Sequence, residues 1–542
     1  MSSLAKFQVN INITQKKLIA IAIIGFMFSI STAGAIIVSA TGTPVIMKTV
    51  IEPGSMTDQA SYIIFKDATG ATCAKNGTSG EIVARSINSS SVFQSIINAL
   101  SIIGGTIQIK SGNYVVSNTI LLFGNIRIEG EMRSEQNHIS GTVLTNNQVN
   151  GHSTFASGDL NNYLGGGIGS LTIIGNPLSG SGVNISLPVN YVLKDITISS
   201  CGGDGIRING AVDVLFDHVN VMQNKGWGID FKLSSWGHAG AYVADINSCL
   251  FQNNTLGNIR INEGTYTVQS CSFENAGSVG KDHILVSSET LQSDVKISGC
   301  NFAGTGNSPE TNDAITVKNC TEISIIGNSF NTHRNGINIT SSSGRAIITG
   351  NDFEYTEGWA IKNAAKDTII SGNNIKGIYG RGGGVNNTGD RTNIINNIIE
   401  QSDGAYSSIV NSGSYVTMQN NILYHSSGDA IQNSGYDCII SGNHIAFALH
   451  YAIANYGDTA LISSNWIIGA NYANATYDCI YNGNGAADST LIDGNIILGN
   501  NMARYGVHIV DGNPTVSNNV FNTCVSGNVL GGGNNTRNNT YP

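Results

Sequence analysis

The sequence predicts an all-β fold: a right-handed parallel β-helix, a solenoid of about 16 coils with an N-terminal capping helix. Three observations carry this. The first is an asparagine in a short phrase that reads apolar, any residue, Gly or Asn, Asn, any residue, apolar. It occurs as Ile325-Ile326-Gly327-Asn328-Ser329-Phe330 and again at Asn351, Asn373, Asn397, Asn421, Asn443, Asn465, Asn495 and Asn519, mostly in steps of 22 to 24 residues. The second is a pair of columns two residues apart. One holds Ile206, Ile229, Ile259, Ile284, Ile315, Ile337, Ile361, Val385, Ile409, Ile431, Ile453, Ile480 and Val507; the other passes from Ile208, Phe231, Ile261, Val286, Val317 and Ile339 to Asn363, Asn387, Asn411, Asn433, Asn455 and Asn482. Such alternation marks short strands with one buried face. The third is that the first column continues upstream as Cys300, Cys271 and Cys249, then Val219, Ile196 and Leu171, with Ile126 and Ile107 fitting near the start. One inward position thus changes from aliphatic to thiol to amide.

Parallel strands stacked ~4.8 Å apart let an Asn amide donate to one rung and accept from the next. A lone buried Asn would instead cost roughly 1–3 kcal/mol. Some members of the column, particularly those after Gly, are expected in the left-handed conformation of a turn. Leucine-rich repeats need regular Leu, and left-handed β-helices prefer hexapeptide coils. The longer steps from Val219 to Cys249, Cys271 to Cys300 and Asn465 to Asn495 need inserted loops, which a right-handed helix tolerates. The rod is expected to be on the order of 75 Å long.

In chain order, residues 1–17 are a short N-terminal segment, and residues 18–40 are an uncharged, largely apolar run after Lys16-Lys17. That run reads as a signal peptide or a membrane anchor, and either role sends the rest of the chain to the cell surface or beyond. Residues 41–60 read as a linker and 61–90 as a β-rich lead-in segment. From Ser91 to Leu100 the period changes: Val92, Phe93, Ile96, Ile97 and Leu100 share one helical face, preceded by capping serines. The solenoid spans 91–525, and the Gly- and Asn-rich residues 526–542 read as a flexible tail.

The helix is followed by Gly104-Gly105-Thr106-Ile107-Gln108-Ile109, Gly112-Asn113-Tyr114, Thr119-Ile120-Leu121-Leu122 and Asn125-Ile126-Arg127-Ile128-Glu129-Gly130. This opening resembles that of the pectate-lyase-like (pectin-lyase-like) superfamily, whose first coil is plugged by a helix. The plug answers a physical need, because an open coil exposes unpaired strand edges. Lys110-Ser111 departs from the Pro common before Gly-x-Tyr in that family. The resemblance implies a polysaccharide or surface glycan as partner and, in an enzyme, a lyase or glycoside hydrolase activity on an outward sheet face.

Charged residues are only 12 % of the chain and the net charge is −9, which speaks against nucleic acid. An anionic polysaccharide would need a local cationic patch to overcome that field. A membrane is a partner only through residues 18–40, if they are retained. Nine cysteines are present without CxxC or CxxH spacing, so no metal site is read from them. Parallel side chains on successive rungs suit a relaxed disulfide poorly, and buried free thiols are expected. No dense acidic cluster announces Ca²⁺, and the cofactor is left open.

Between the second and third columns lies an outward position. There Arg207, Asp230 and Arg260 are expected to stack as a cation–anion–cation ladder, the candidate catalytic group. Lys232, Trp227, Glu263 and Asp204 lie nearby as candidate substrate-binding residues, with Trp236 and His238 on an insertion placed to wall a groove. An aromatic beside charged groups is a common way to hold a sugar ring. Hydrolysis would use Asp230 with Asp204 or Glu263, and β-elimination would need a base such as Arg207, Arg260 or Lys232. The Asp-Asp pair and Gly-His-Gly of polygalacturonase-like members are missing, and Trp236-Gly237-His238-Ala239-Gly240 is a faint echo. Against a site stands the alternative of an ion ladder that only balances strand-edge charge. Asp204, Asp282, Asp313, Asp429 and Asp478 share one repeat position, which reads as turn chemistry. The function expected is polysaccharide binding with cleavage as an added activity; the alternative is a non-catalytic surface rod, adhesin or envelope component.

Overall fold

The computed structural model describes residues 37–38, 44–45, 60–134, 140–160, 162–233, 241–275, 281–288, 293–304, 312–380, 382–400, 403–404, 406–470, 476–483, 489–531 and 536–541. The chain divides into two compact units, Met1–Asp58 and Gln59–Pro542. In the first, Ile37–Val38 pairs antiparallel with Pro44–Val45. The rest of the expected leader lies outside the described residues. Among the described residues no helix is long and apolar enough to cross a membrane.

In the second unit each turn contributes one strand to each of three parallel sheets, called first, second and third in chain order. The opening turn is Gly105–Ile109, Gly112–Val116 and Ile120–Leu122. The second and third sheets each hold seventeen strands among the described residues. The predicted strand columns fall in register: Ile206 pairs with Ile229, Ile229 with Ile259, and Asn363 with Asn387. The ladder of the first column is present as well. Asn373 donates from its backbone N–H (3.0 Å) and from Nδ2 (2.9 Å) to Oδ1 of Asn397, and from Nδ2 to the Ile348 carbonyl (3.0 Å). The same three bonds recur at Asn397 and Asn421. A second amide ladder runs through the third sheet, with Nδ2 of Asn363 2.7 Å from Oδ1 of Asn387 and so on to Asn482.

Three expectations are corrected. The left-handed residue is the one before each column Asn, as at Gly327 (φ 63°), Asn396 (56°) and Ser464 (56°), while no column Asn from 328 to 519 has positive φ. The turn is made one residue early, which leaves the amide free to point inward. Ile107 and Ile126 are not column members: they lie in first-sheet strands, paired with Ile128 and Gly105. Finally, the helix spans Ser89–Leu100 and is capped by Asn88, whose side chain accepts from Ser90 N–H.

That helix buries Val92, Phe93, Ile96, Ile97 and Leu100, the face read from the sequence. A meander of Tyr62–Lys66, Thr72–Asn76 and Ile82–Ser86 sits beside it, and its first strand pairs in parallel with Gly105–Ile109. Together they cover the edge that the first coil would expose. At the far end, residues placed in a tail by composition add another turn. Gly527–Leu530 pairs with the strand Tyr505–Ile509, and Asn539 Oδ1 accepts from Asn519 N–H at 3.0 Å.

The upstream core is aromatic. Phe251, Phe273, Phe302, Phe330 and Phe353 stack face to face with centroids 5.1, 4.7, 4.9 and 4.6 Å apart. All nine cysteines are free and eight are buried, Cys249, Cys271 and Cys300 among them.

Candidate functional site on the third sheet

The third sheet aligns Arg207 with Asp230 and Asp230 with Arg260, as the column spacing requires. Arg260 grips Asp230 with two parallel bonds, Nε to Oδ1 at 2.6 Å and Nη2 to Oδ2 at 2.7 Å. Lys232 Nζ lies 3.6 Å from Asp230 Oδ2, and Arg207 Nε lies 3.7 Å from it. Arg207 turns mainly to Asp204, with Nη2 2.6 Å and Nε 2.8 Å from Oδ2. Burial pushes the Asp204 carboxyl above its usual range; Arg207 draws it back and nearby Asp230 pushes it further up.

Asp204 also joins rungs. Its Oδ1 accepts the backbone N–H of Trp227 at 2.8 Å, one turn on. Asp282, Asp429 and Asp478 do the same for Asp313 (3.2 Å), Tyr451 (3.1 Å) and Tyr505 (3.1 Å). The repeated aspartates are structural, as their spacing suggested, but they clasp the next coil instead of closing their own turn. Burial lifts the carboxyls of Asp282 and Asp429 to about 6.

The charges are sorted by depth. The side chains of Arg207, Arg260 and Lys232 are 35, 31 and 38 % exposed, whereas those of Asp204 and Asp230 are 4 and 1 % exposed. Buried carboxylates hold the cations in place and the cations form the surface. Trp227 is mostly buried, with the Arg260 guanidinium 5.6 Å from its ring centroid. Glu263 is buried too, and its Oε1 has no hydrogen-bond partner among the described residues. Trp236 and His238 lie outside the described residues.

With both oxygens of Asp230 engaged by Arg260, that carboxylate is badly placed to take up a proton or attack a sugar carbon. What the arrangement does well is present fixed donors to an anion or a sugar hydroxyl. Among the described residues no group of three or more His, Cys, Asp or Glu side chains is disposed to hold a metal ion.

A second cluster on the same sheet was not read from the sequence. Tyr481 and His508 occupy the outward file that contains Arg207, and Tyr451, Asp478 and Tyr505 occupy the file that contains Asp204. The signal was available, since both files could be extended downstream, but only charge was weighed at those positions.

Residues 165–353 match a family model described as the right handed beta helix region. The protein is a right-handed parallel β-helix. The resemblance to pectate-lyase-like proteins holds at the level of this architecture. No curated protein matches the chain. Among solved structures, the β-helix is similar to ORF18 of Geobacillus virus E2 at 16 % identity, covering 62 % of this chain and 68 % of that one, with a TM-score of 0.37. It is similar to PfbA, a surface adhesin of Streptococcus pneumoniae, at 16 % identity over 81 % of this chain and 89 % of that one, with a TM-score of 0.29. It is also similar to the catalytic unit of a GH87 α-1,3-glucanase from Streptomyces thermodiastaticus at 14 % identity over 75 and 65 %, with a TM-score of 0.29.

Proposed function

We propose that the protein is an exported β-helix that binds an acidic polysaccharide along the outward face of its third sheet, at Arg207, Lys232 and Arg260. The observation that carries this reading is the sorting of charge: three cations at the surface over two buried carboxylates. It supplies a local positive patch on a chain whose net charge is −9. Guanidinium groups already held by Asp204 and Asp230 lose little freedom when a uronate or sulfate docks on their remaining N–H groups. Trp227 props Arg260 from beneath instead of offering an open face. The occupied state of Asp230 favours binding without cleavage, the adhesin-like alternative. Export rests on the apolar run at 18–40.

Binding to acidic and neutral polysaccharides, measured by affinity electrophoresis at two salt concentrations, tests the reading. The wild type is expected to bind the acidic polymers, and less so at high salt. Arg207→Ala combined with Lys232→Ala should weaken that binding roughly tenfold or more. Unchanged retention by the double variant, or binding indifferent to salt, would refute it. A parallel screen for reducing ends and unsaturated products decides cleavage, which is expected to be absent.

A further inference from the structure

Roughly 38 Å further along the same sheet, at eight rungs from Arg260, the lattice positions used for charge upstream are filled with rings. Tyr451 and Tyr481 stack with centroids 4.5 Å apart, Tyr477 meets the Tyr451 ring edge-on at 5.0 Å, and His450 stacks on Tyr477 at 4.4 Å. Tyr456 leans on Tyr481 at 5.8 Å. Between them Ala454 faces outward and is nonetheless fully covered. At Gly483 an added Cβ would come within 2.3 Å of Tyr481 Cε1. A methyl side chain and a bare backbone are what let the rings lie flat against the sheet, each still partly exposed.

Polar groups border these rings. Asp478 is fully buried, and its carboxylate accepts Arg504 Nε (3.0 Å) and Nη2 (2.8 Å) together with Tyr505 N–H, while His508 Nδ1 lies 2.9 Å from Oδ2. Asp478 therefore cancels the Arg504 charge and fixes Arg504 and His508 beside the Tyr481 ring, 5.5 Å from His508. A second carboxylate, Asp429, lies two rungs back with its Oδ1 on Tyr451 N–H. Unlike the upstream patch, this surface has among the described residues no arginine or lysine without a facing carboxylate, so an acidic sugar gains nothing here. A partly desolvated aromatic shelf with fixed donors and acceptors matches the apolar face and hydroxyl rim of an uncharged pyranose. We propose that Tyr451, Tyr477 and Tyr481, with Arg504 and His508 at their border, form a second binding site for a neutral glycan. The site is separate from the upstream cationic patch and does not depend on it.

The test titrates the full chain with neutral hexasaccharides of gluco, manno and galacto configuration and with an oligogalacturonate, by calorimetry. At least one neutral hexasaccharide is expected to bind and the oligogalacturonate to leave these residues unaffected. Tyr481→Ala should weaken neutral binding roughly tenfold, and Tyr481→Phe, which keeps the ring face, should retain most of it. Arg207→Ala with Lys232→Ala should leave neutral binding unchanged, which separates failure here from failure upstream. If Tyr481→Ala proves unfolded, Ala454→Leu gives the independent reading, since it props the rings away from the sheet without removing one; it should also lose neutral binding. Binding of no neutral hexasaccharide, or affinities indifferent to both Tyr481→Ala and Ala454→Leu, would show that the rings are only a packed cover.

Discussion

Upstream, the corner between the first and second strands is filled by Leu171, Ile196, Val219, Cys249, Cys271 and Cys300; from Asn328 onward it is filled by asparagine. The two regions solve one problem in different ways. In a stacked coil the corner N–H points at the next rung, where water does not reach. Downstream, the Asn amide accepts it and also returns a donor, so each rung is satisfied three times over. Upstream, the thiol is a weaker copy. The Cys271 thiol lies 3.5 Å from the Ile246 carbonyl, the partner that Nδ2 takes in the amide ladder. The neighbouring Cys249 thiol and burial hold the Cys271 thiol well above its ordinary range, with the Cys300 thiol opposing, so it stays protonated and inert. The three cysteine coils add stacked phenylalanines, Phe251, Phe273 and Phe302, and the stack runs on into the first two asparagine coils as Phe330 and Phe353, so apolar packing carries more of the upstream half and polar pairing more of the downstream one.

The largest expected effect comes from cutting the amide ladder. Asn397→Leu removes the acceptor of Asn373 N–H and Nδ2 together. Two buried donors without partners should cost about 3 kcal/mol or more, whereas Cys271→Ala should cost about 1 kcal/mol. A solenoid need not unfold in one step. The measurement is therefore hydrogen exchange resolved by turn, with loss of protection centred on 351–421 for Asn397→Leu. Equal losses for the two variants would break the comparison.

Acid provides the next separation. His283 and His333 are buried among the upstream turns, with ring centroids 5.2 Å apart. Burial is the main reason the His333 pKa falls to about 4, with the Phe302 carbonyl and Asp313 opposing, and burial followed by His333 lowers that of His283 well below its ordinary value. Between the unfolded value of 6.5 and about 4 the unfolded chain therefore binds protons that the folded one refuses. The stabilisation is complete above about 6.5 and is lost as pH falls, by about 3 kcal/mol for His333 alone. Asp429 downstream has the opposite sign: its folded value of about 6 lies above 3.8, so the downstream coils become more stable as pH falls through that window. Asp282 behaves like Asp429 and offsets part of the upstream loss. Exchange at pH 7.5 and 4.5 should show the turns around 259–337 opening first at the lower pH. Loss beginning in the turns around 409–455 would contradict the assignment.

The fold was legible because its period is written in identical residues. Asn373, Asn397 and Asn421 could be aligned by eye, and the register of every third-sheet strand followed from Ile206 through Val507. The position of the left-handed residue was not legible, since Gly327-Asn328 and Asn396-Asn397 leave open which of two neighbours turns. The charged file at Arg207, Asp230 and Arg260 was legible from spacing two, but depth was not: nothing in the order of residues shows that Asp230 is buried and Arg260 half exposed. The aromatic shelf was missed for a related reason. Tyr451 and Tyr481 lie on two files where their rings could be noted, but Tyr477 lies on neither, and the three converge only because Ala454 and Gly483 leave room, which is a property of packing.

The smallest effects ask whether the two regions are interchangeable at their border. Asn328 Oδ1 already accepts the Cys300 N–H at 2.9 Å, and the Cys300 thiol already lies 3.7 Å from the Val268 carbonyl. Those are the partners an amide would use, matching Asn328 Nδ2 on the Ile297 carbonyl and on Asn351 Oδ1. Cys300→Asn therefore extends the ladder by one rung and should change stability by less than about 1 kcal/mol in either direction. Cys249→Asn makes the same chemical change two rungs away. It keeps a carbonyl within reach, since the Cys249 thiol lies 3.9 Å from the Phe216 carbonyl, but the next column member is the Cys271 thiol instead of an amide oxygen, so one amide donor has no oxygen to bond and the change should cost about 1–3 kcal/mol. Guanidinium unfolding followed by turn-resolved exchange distinguishes the two. If Cys249→Asn is tolerated as well as Cys300→Asn, an isolated amide is at home in this corner, and the ladder owes nothing to its being continuous.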